Sequence, residues 1–198
     1  DDVESRGLGD VYKRQLITCA TIAQSFMLVV TMPLGGISGG TQTILAFNYG
    51  AHRRDRILQA EKHIALLCVG YTALMFALAR LGGGLFVRLF TTEPELAAEA
   101  LDAIRICTLA VIPLGIQYAI VDGFTGMAQV KLALPLSAFR KVVYFAALFW
   151  LPAAFGARAV FYAEPVSDVL GPIASVIIYA VFIKKILDFP AAPRHHEG

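Results

Sequence analysis

The chain has 198 residues, of which 57% are hydrophobic and 16% charged, with a formal net charge of +2 and a mean hydropathy of +0.65. Soluble domains carry about 25% charged and about 45–50% apolar residues. This balance excludes a disordered chain, a nucleic-acid binder and an ordinary cytosolic enzyme, and it predicts an all-α, polytopic membrane helix bundle in contact with a lipid bilayer. Cys19, Cys68 and Cys107 lie far apart in apolar runs, with neither a metal-ligand spacing nor a disulfide framework, and read as small core residues.

Residues 1–15 read DDVESRGLGDVYKRQ, polar and charged, and hydrophobicity begins abruptly at Leu16. The stretch Ser5 to Gln15 resembles one translated frame of a transposase adapter used in sequencing libraries. It is expected to be a non-native leader, outside the fold. The transmembrane bundle is then expected over residues 16–188, with a tail over 189–198.

A bilayer core about 30 Å thick needs about 20 apolar residues in helix. The first run, Leu16 to about Asn48, exceeds one span and carries Pro33, Gly35, Gly36, Gly39 and Gly40 near its middle. The second is Ile57 to Ala79, with Glu61, Lys62 and His63 in its first turns. The third, about Ile106 to Ala128, follows an amphipathic stretch, Pro94 to Arg105. The fourth runs from Leu132 to about Phe155 and the fifth from Ala159 to Ile183. About five helices are expected, and no strand alternation competes.

Arg53, Arg54, Arg56, Lys62, Lys131, Arg140, Lys141, Lys184, Lys185 and Arg194 fall at one end of these spans, against Arg80, Arg88, Arg105 and Arg158 at the other. The positive-inside rule places the first set, the C-terminus included, in the cytoplasm. His195 and His196 read as solvated residues of a frayed tail.

Function is expected among the polar residues at depth. PLGGISGG, Pro33 to Gly40, has two readings. Proline removes a donor and frees a carbonyl one turn earlier, which makes a hinge or cavity wall; Gly35/Gly39 and Gly36/Gly40 are also GxxxG pairs that let helices approach. Asp122 lies nine residues before Lys131, about 13 Å of helix. A carboxylate there costs roughly 2.5–3.5 kcal/mol, so it should face the bundle interior, paired or protonated. Gln117 is on the same helix but on another face. Glu164 and Asp168 stand at i and i+4, on one face, and Arg140 is either a snorkelling cation or a carboxylate's partner. Asp122 and Asp168 have a coupling or substrate role as one reading and a structural hydrogen bond or salt bridge as the other. No catalytic set, metal site or cofactor motif appears, so an enzyme is not expected.

Pro33 to Ala51, PLGGISGGTQTILAFNYGA, resembles the eighth-helix signature of the multidrug and toxic compound extrusion (MATE) family: proline, glycine-rich turn, glutamine (Gln42), then Asn-x-Gly-Ala (Asn48, Tyr49, Gly50, Ala51). Where the family more often has proline after that glutamine, this chain has Thr43. Leu89 to Ile106 resembles the external connection before the tenth helix, Gly126 to Lys141 the tenth-to-eleventh turn with its usual arginine at Arg140, and Phe161 to Asp168 the start of the twelfth helix. The resemblance implies helices eight to twelve, a partial C-terminal lobe of a twelve-helix exporter in the inner (plasma) membrane. It implies a partner in the missing N-terminal lobe, small organic and mainly cationic substrates, and Na+ or H+ as coupling ion. An acid on the tenth helix binds that ion in one branch of the family, and Asp122 is on the corresponding helix.

Two other readings stay open. A lipid-linked sugar flippase of the same superfamily would need a markedly cationic cavity. A structural membrane subunit would tie Asp122 and Asp168 in local salt bridges; a polar concavity among the first, third and fifth spans would count against it.

Overall fold

A computed structural model of the chain describes residues 2–189, with side chains from residue 11 onward; Arg194, His195, His196 and nearly all of the expected tail lie outside the described residues. Helix α1, Asp2–Gly40, is followed after a single residue, Thr41, by α2, Gln42–Gly50. Then come α3, Arg54–Leu81, the short α4, Gly83–Val87, and α5, Pro94–Cys107. The chain ends with α6, Val111–Gly126, α7, Val130–Phe155, a 3-10 turn at Ala157–Tyr162, and α8, Ala163–Ile186. Among the described residues there is no strand.

Helix α1 continues through the expected leader, and residues 11–14 are exposed on it. Burial begins at Cys19 and follows Ile22, Ala23, Phe26, Val30, Leu34 and Ser38, a helical stripe that packs against the rest of the bundle. Phe26 meets Phe86 of α4 edge to face, centroids 5.2 Å apart. The buried stripe of α3 is Ile57, Glu61, Ile64, Cys68, Thr72, Met75 and Ala79. Large apolar side chains point outward instead, among them Met32, Leu66, Leu74, Val142, Phe149 and Ile177. In water such a belt would be untenable; around a bilayer bundle it is the lipid-facing surface.

Four helical stretches are long and apolar enough to cross a membrane: Val11–Gly50, Arg54–Leu81, Val130–Phe155 and Ala157–Ile186. The third expected span, about Ile106 to Ala128, differs from the others. It is the pair α5 and α6, bent by 46°. Pro113 stands in the first turn of α6 and cannot donate to the carbonyl of Leu109, so the helix stops at Cys107 and restarts at Val111. Helix α6 alone is only about 24 Å long.

The α6–α7 turn is closed by Gln129 N–H donating to Phe124 O at 2.7 Å and Ala128 N–H to Thr125 O at 3.0 Å, a Schellman arrangement. It puts Ala128, at φ 59°, where glycine usually stands. Gly156, at φ 89°, ends α7; that backbone is available to glycine without steric cost.

Candidate ion and substrate pathway

Within the Pro33–Gly40 stretch read as a hinge or a packing motif, the helix is not interrupted at Pro33 itself. Helix α1 runs on through it, and the interruption falls at Thr41, after Gly39 and Gly40. Proline at 33 deprives the Val29 carbonyl of its helical donor, and the Tyr71 hydroxyl of α3 supplies one instead, donating to Val29 O at 2.9 Å. The glycine pairs make no tight approach to another helix among the described residues. A Cβ on Gly36 or Gly40 would meet nothing within 4 Å; one on Gly35 would lie 3.7 Å from Tyr118. The close approaches come from isolated glycines. A Cβ on Gly115 would lie 2.8 Å from Thr72 Oγ1 and 3.0 Å from Cys68 O, and one on Gly126 would lie 3.0 Å from Gln42 O. Helix α6 therefore owes its contact with α3 and α2 to missing side chains.

That contact brings the α1–α2 junction to Asp122. Ser38 Oγ donates to Asp122 Oδ2, and Gln42 Nε2 donates to Asp122 Oδ1 at 3.0 Å. Among the described residues Asp122 has these neutral donors and no ion pair. It lies half-buried on the wall of a cavity of about 220 Å³ lined by Gln117, Tyr118, Val121, Ser137, Arg140 and Lys141. Gln117 and Asp122, five positions apart, flank Tyr118 and Val121, so a broad cavity reaches both although they occupy different helix faces. The concavity is built on the third and fourth spans, α6 and α7. The first span contributes the hydrogen-bond donors of Asp122 and the fifth span stands behind.

Behind the cavity, Arg140 Nη1 donates to Asp168 Oδ1 at 3.0 Å, and Asp168 is fully buried. Ser167 Oγ reaches the same oxygen at 3.4 Å. Arg140 is thus the partner of a carboxylate rather than a snorkelling cation. Asp168 Oδ2 and Gln117 Oε1 are buried without a partner among the described residues. Gly171, one turn after Asp168, leaves the space that the Gln117 amide occupies: a Cβ there would lie 2.5 Å from Gln117 Oε1. Glu164 is not part of this cluster. It accepts from Gln24 Nε2 of α1 at 3.2 Å, tying the start of α8 to the first helix.

The Asn48–Ala51 motif lies at the other end of α2. Asn48 is buried and donates to Ile44 O at 2.8 Å. The Tyr49 hydroxyl accepts from Gln129 Nε2 of the α6–α7 turn at 3.2 Å, and its ring meets Phe189 at 5.4 Å. Gly50 and Ala51 are exposed at the helix end. This motif staples two turns at one end of the bundle and is remote from Asp122.

Three contributors escape a reading by residue type. Ser38 hides inside a glycine-rich motif, and Tyr118 and Ser137 look like ordinary span residues. Glu61 does carry a signal: it falls on the buried stripe of α3 at the spacing Ile57–Glu61–Ile64. Among the described residues no group of three or more His, Cys, Asp or Glu could hold a metal ion.

Residues 14–150 match the family model MatE. Two solved structures share the fold. One, an inward-facing conformation of a multidrug resistance MATE family transporter of the MOP superfamily, is 16% identical with a TM-score of 0.79, over 89% of this chain and 43% of that one. The other, MATE multidrug transporter DinF-BH in complex with R6G, is 26% identical with a TM-score of 0.76, over 84% of this chain and 37% of that one. None of the curated proteins matches. The chain therefore spans less than half the length of either similar structure. With the family model covering well over half of its residues in order, and the helical fold agreeing with it, the chain belongs to the MatE family of membrane transporters.

Proposed function

We propose that this chain is part of the C-terminal lobe of a longer exporter of small organic compounds, driven by a Na+ or H+ gradient and working by alternating access. The observation that carries the reading is the state of Asp122: a carboxylate at depth, on a cavity wall, held by the neutral donors Ser38 and Gln42 rather than by an ion pair. An incoming cation or proton competes with two hydrogen bonds for this carboxylate, not with a fixed positive charge. When it wins, Ser38 and Gln42 are released, and they flank the single-residue break at Thr41. Charge at Asp122 is thereby linked to the angle between α1 and α2, the type of bistable element that alternating access needs.

Transport needs the partner lobe to close the path on the far side, since α6 and α7 line only one wall. The lipid-facing belt supports a bundle set in a bilayer, and the lysine and arginine bias supports a cytoplasmic side for Lys184 and Lys185 in an inner membrane. A sugar-phosphate flippase is the poorer reading, because Asp168 already neutralises Arg140 and leaves Lys141 as the cavity's free cation among the described residues. The test is to recover the upstream reading frame, express the complete protein in vesicles, and follow R6G, the compound bound by one of the similar structures, under an imposed Na+ or H+ gradient. Gradient-dependent efflux is expected; equal dye retention with and without either gradient would contradict the reading.

A further inference from the structure

Helix α6 has a second face with an acid of its own. Glu61, in the second turn of α3, is only 9% exposed. Tyr179 of α8 donates its hydroxyl to Glu61 Oε2, while Oε1 is buried with no partner among the described residues. That unpartnered oxygen lies against Gly123: a Cβ on Gly123 would sit 2.7 Å from it. A cavity of about 160 Å³, lined by Leu58, Glu61, Lys62, Ala119, Ile120 and Tyr179, opens beside the carboxyl. It shares no residue with the Asp122 cavity, since α6 turns Gln117, Tyr118, Val121 and Asp122 the other way.

We propose that Glu61 is a second proton-binding site of this chain, separate from Asp122, and that its proton holds α3, α6 and α8 together. The neutral carboxyl fits the site, because burying an acid without charge costs far less than burying a carboxylate whose second oxygen has no donor. When the proton leaves to water through the small cavity, the bare Oε1 needs hydration. The contact that must loosen to admit it is the α3–α6 packing at Gly123, whose missing side chain leaves the room that Oε1 occupies. Two charged or titratable groups face Glu61 there: Tyr179 from α8, and Lys62 of its own helix across the cavity. From α6 it meets Ala119, Ile120 and the Gly123 backbone, while the neighbouring Asp122 carboxylate is turned to Ser38 and Gln42. From α2 the neighbour at Gly123 is apolar Leu45. The site is independent of transport, so it stands or falls apart from the proposed export.

Cys68 provides a reporter. It is fully buried on the same stripe of α3, seven residues on, with its carbonyl against Gly115 of α6. In the purified chain with Cys19→Ser and Cys107→Ser, the maleimide labelling rate of Cys68 is divided by the rate in the denatured chain at each pH, which cancels the reactivity of the thiolate itself. The expected ratio rises with pH, by up to about tenfold per pH unit, the limit for one linked proton. It stays low and flat in Glu61→Gln, which keeps the Tyr179 contact but cannot ionise. Tyr179→Phe, which retains the acid and loses its donor, should raise the ratio at every pH, so the proposal remains testable if the Gln variant does not fold. Infrared difference spectra between two pH values should contain a carboxylic-acid carbonyl band in the parent and in Asp122→Asn that Glu61→Gln lacks. Equal labelling ratios in parent and Glu61→Gln, a Tyr179→Phe ratio equal to the parent's, or an infrared band of Asp122→Asn that is unchanged when Glu61→Gln is added would each overturn the proposal.

Discussion

Asp168 and Asp122 are both carboxylates in the membrane part of the bundle, and they are held in opposite ways. At the α6–α7–α8 corner Asp168 is fully buried and bound to Arg140 at 3.0 Å. At the α1–α2–α6 junction Asp122 is half-buried, faces a cavity, and has hydroxyl and amide donors. A buried ion pair is hard to separate, because either partner left alone keeps its full desolvation cost. Hydrogen bonds from neutral groups are each worth about 0.5–1.5 kcal/mol net, or about twice that to a charged acceptor. The first corner is a fixed wall; the second is where the proposed exchange of charge would take place.

The largest effect is expected from breaking the fixed corner. Arg140→Leu strands Asp168 without a counter-charge and should cost about 3–5 kcal/mol, read as a fall in melting temperature in detergent. Adding Asp168→Leu should recover most of the loss. If the single variant melts like the parent, the corner is not held by this pair. A smaller effect, about 1–3 kcal/mol, is expected from Gly115→Ala, whose Cβ would press on Thr72 and the Cys68 carbonyl. It wedges α3 from α6 without touching either acid, and full stability in that variant would show that the contact has room to spare. Smallest is Tyr71→Phe, which leaves the Val29 carbonyl beneath Pro33 without its donor. A loss of about 0.5–1.5 kcal/mol is expected, from support of α1 on the exchangeable side; no change would mean that the carbonyl is satisfied otherwise.

The spans and the helical class were legible because runs of apolar residues about 20 long have few other uses. The bend at Pro113 carried a local signal, a proline within an apolar run, yet its angle depends on how α5 packs against α1. Asp122 was legible as a charge at depth. Ser38 and Gln42 were not legible as its partners, since they lie 84 and 80 residues away in sequence and only packing brings them near. The glycines mislead for a related reason: the paired spacing at Gly35/Gly39 and Gly36/Gly40 suggests contact, whereas Gly115, Gly123 and Gly126 meet neighbours that no spacing rule names. Glu61 shares the spacing of Ile57 and Ile64, but its partner Tyr179 lies 118 residues away in sequence and only packing brings it near.

The proposed exchange of charge at Asp122 is tested most directly by gradient-driven R6G efflux from vesicles holding equal amounts of complete protein with Asp or Asn at position 122. Asparagine keeps the shape and one of the two accepting oxygens but cannot lose or gain a proton or neutralise a cation. Asp122→Asn is expected to abolish the dependence of efflux on the imposed Na+ or H+ gradient while dye binding persists. Efflux in the Asn protein that still follows the gradient as the parent does would contradict it.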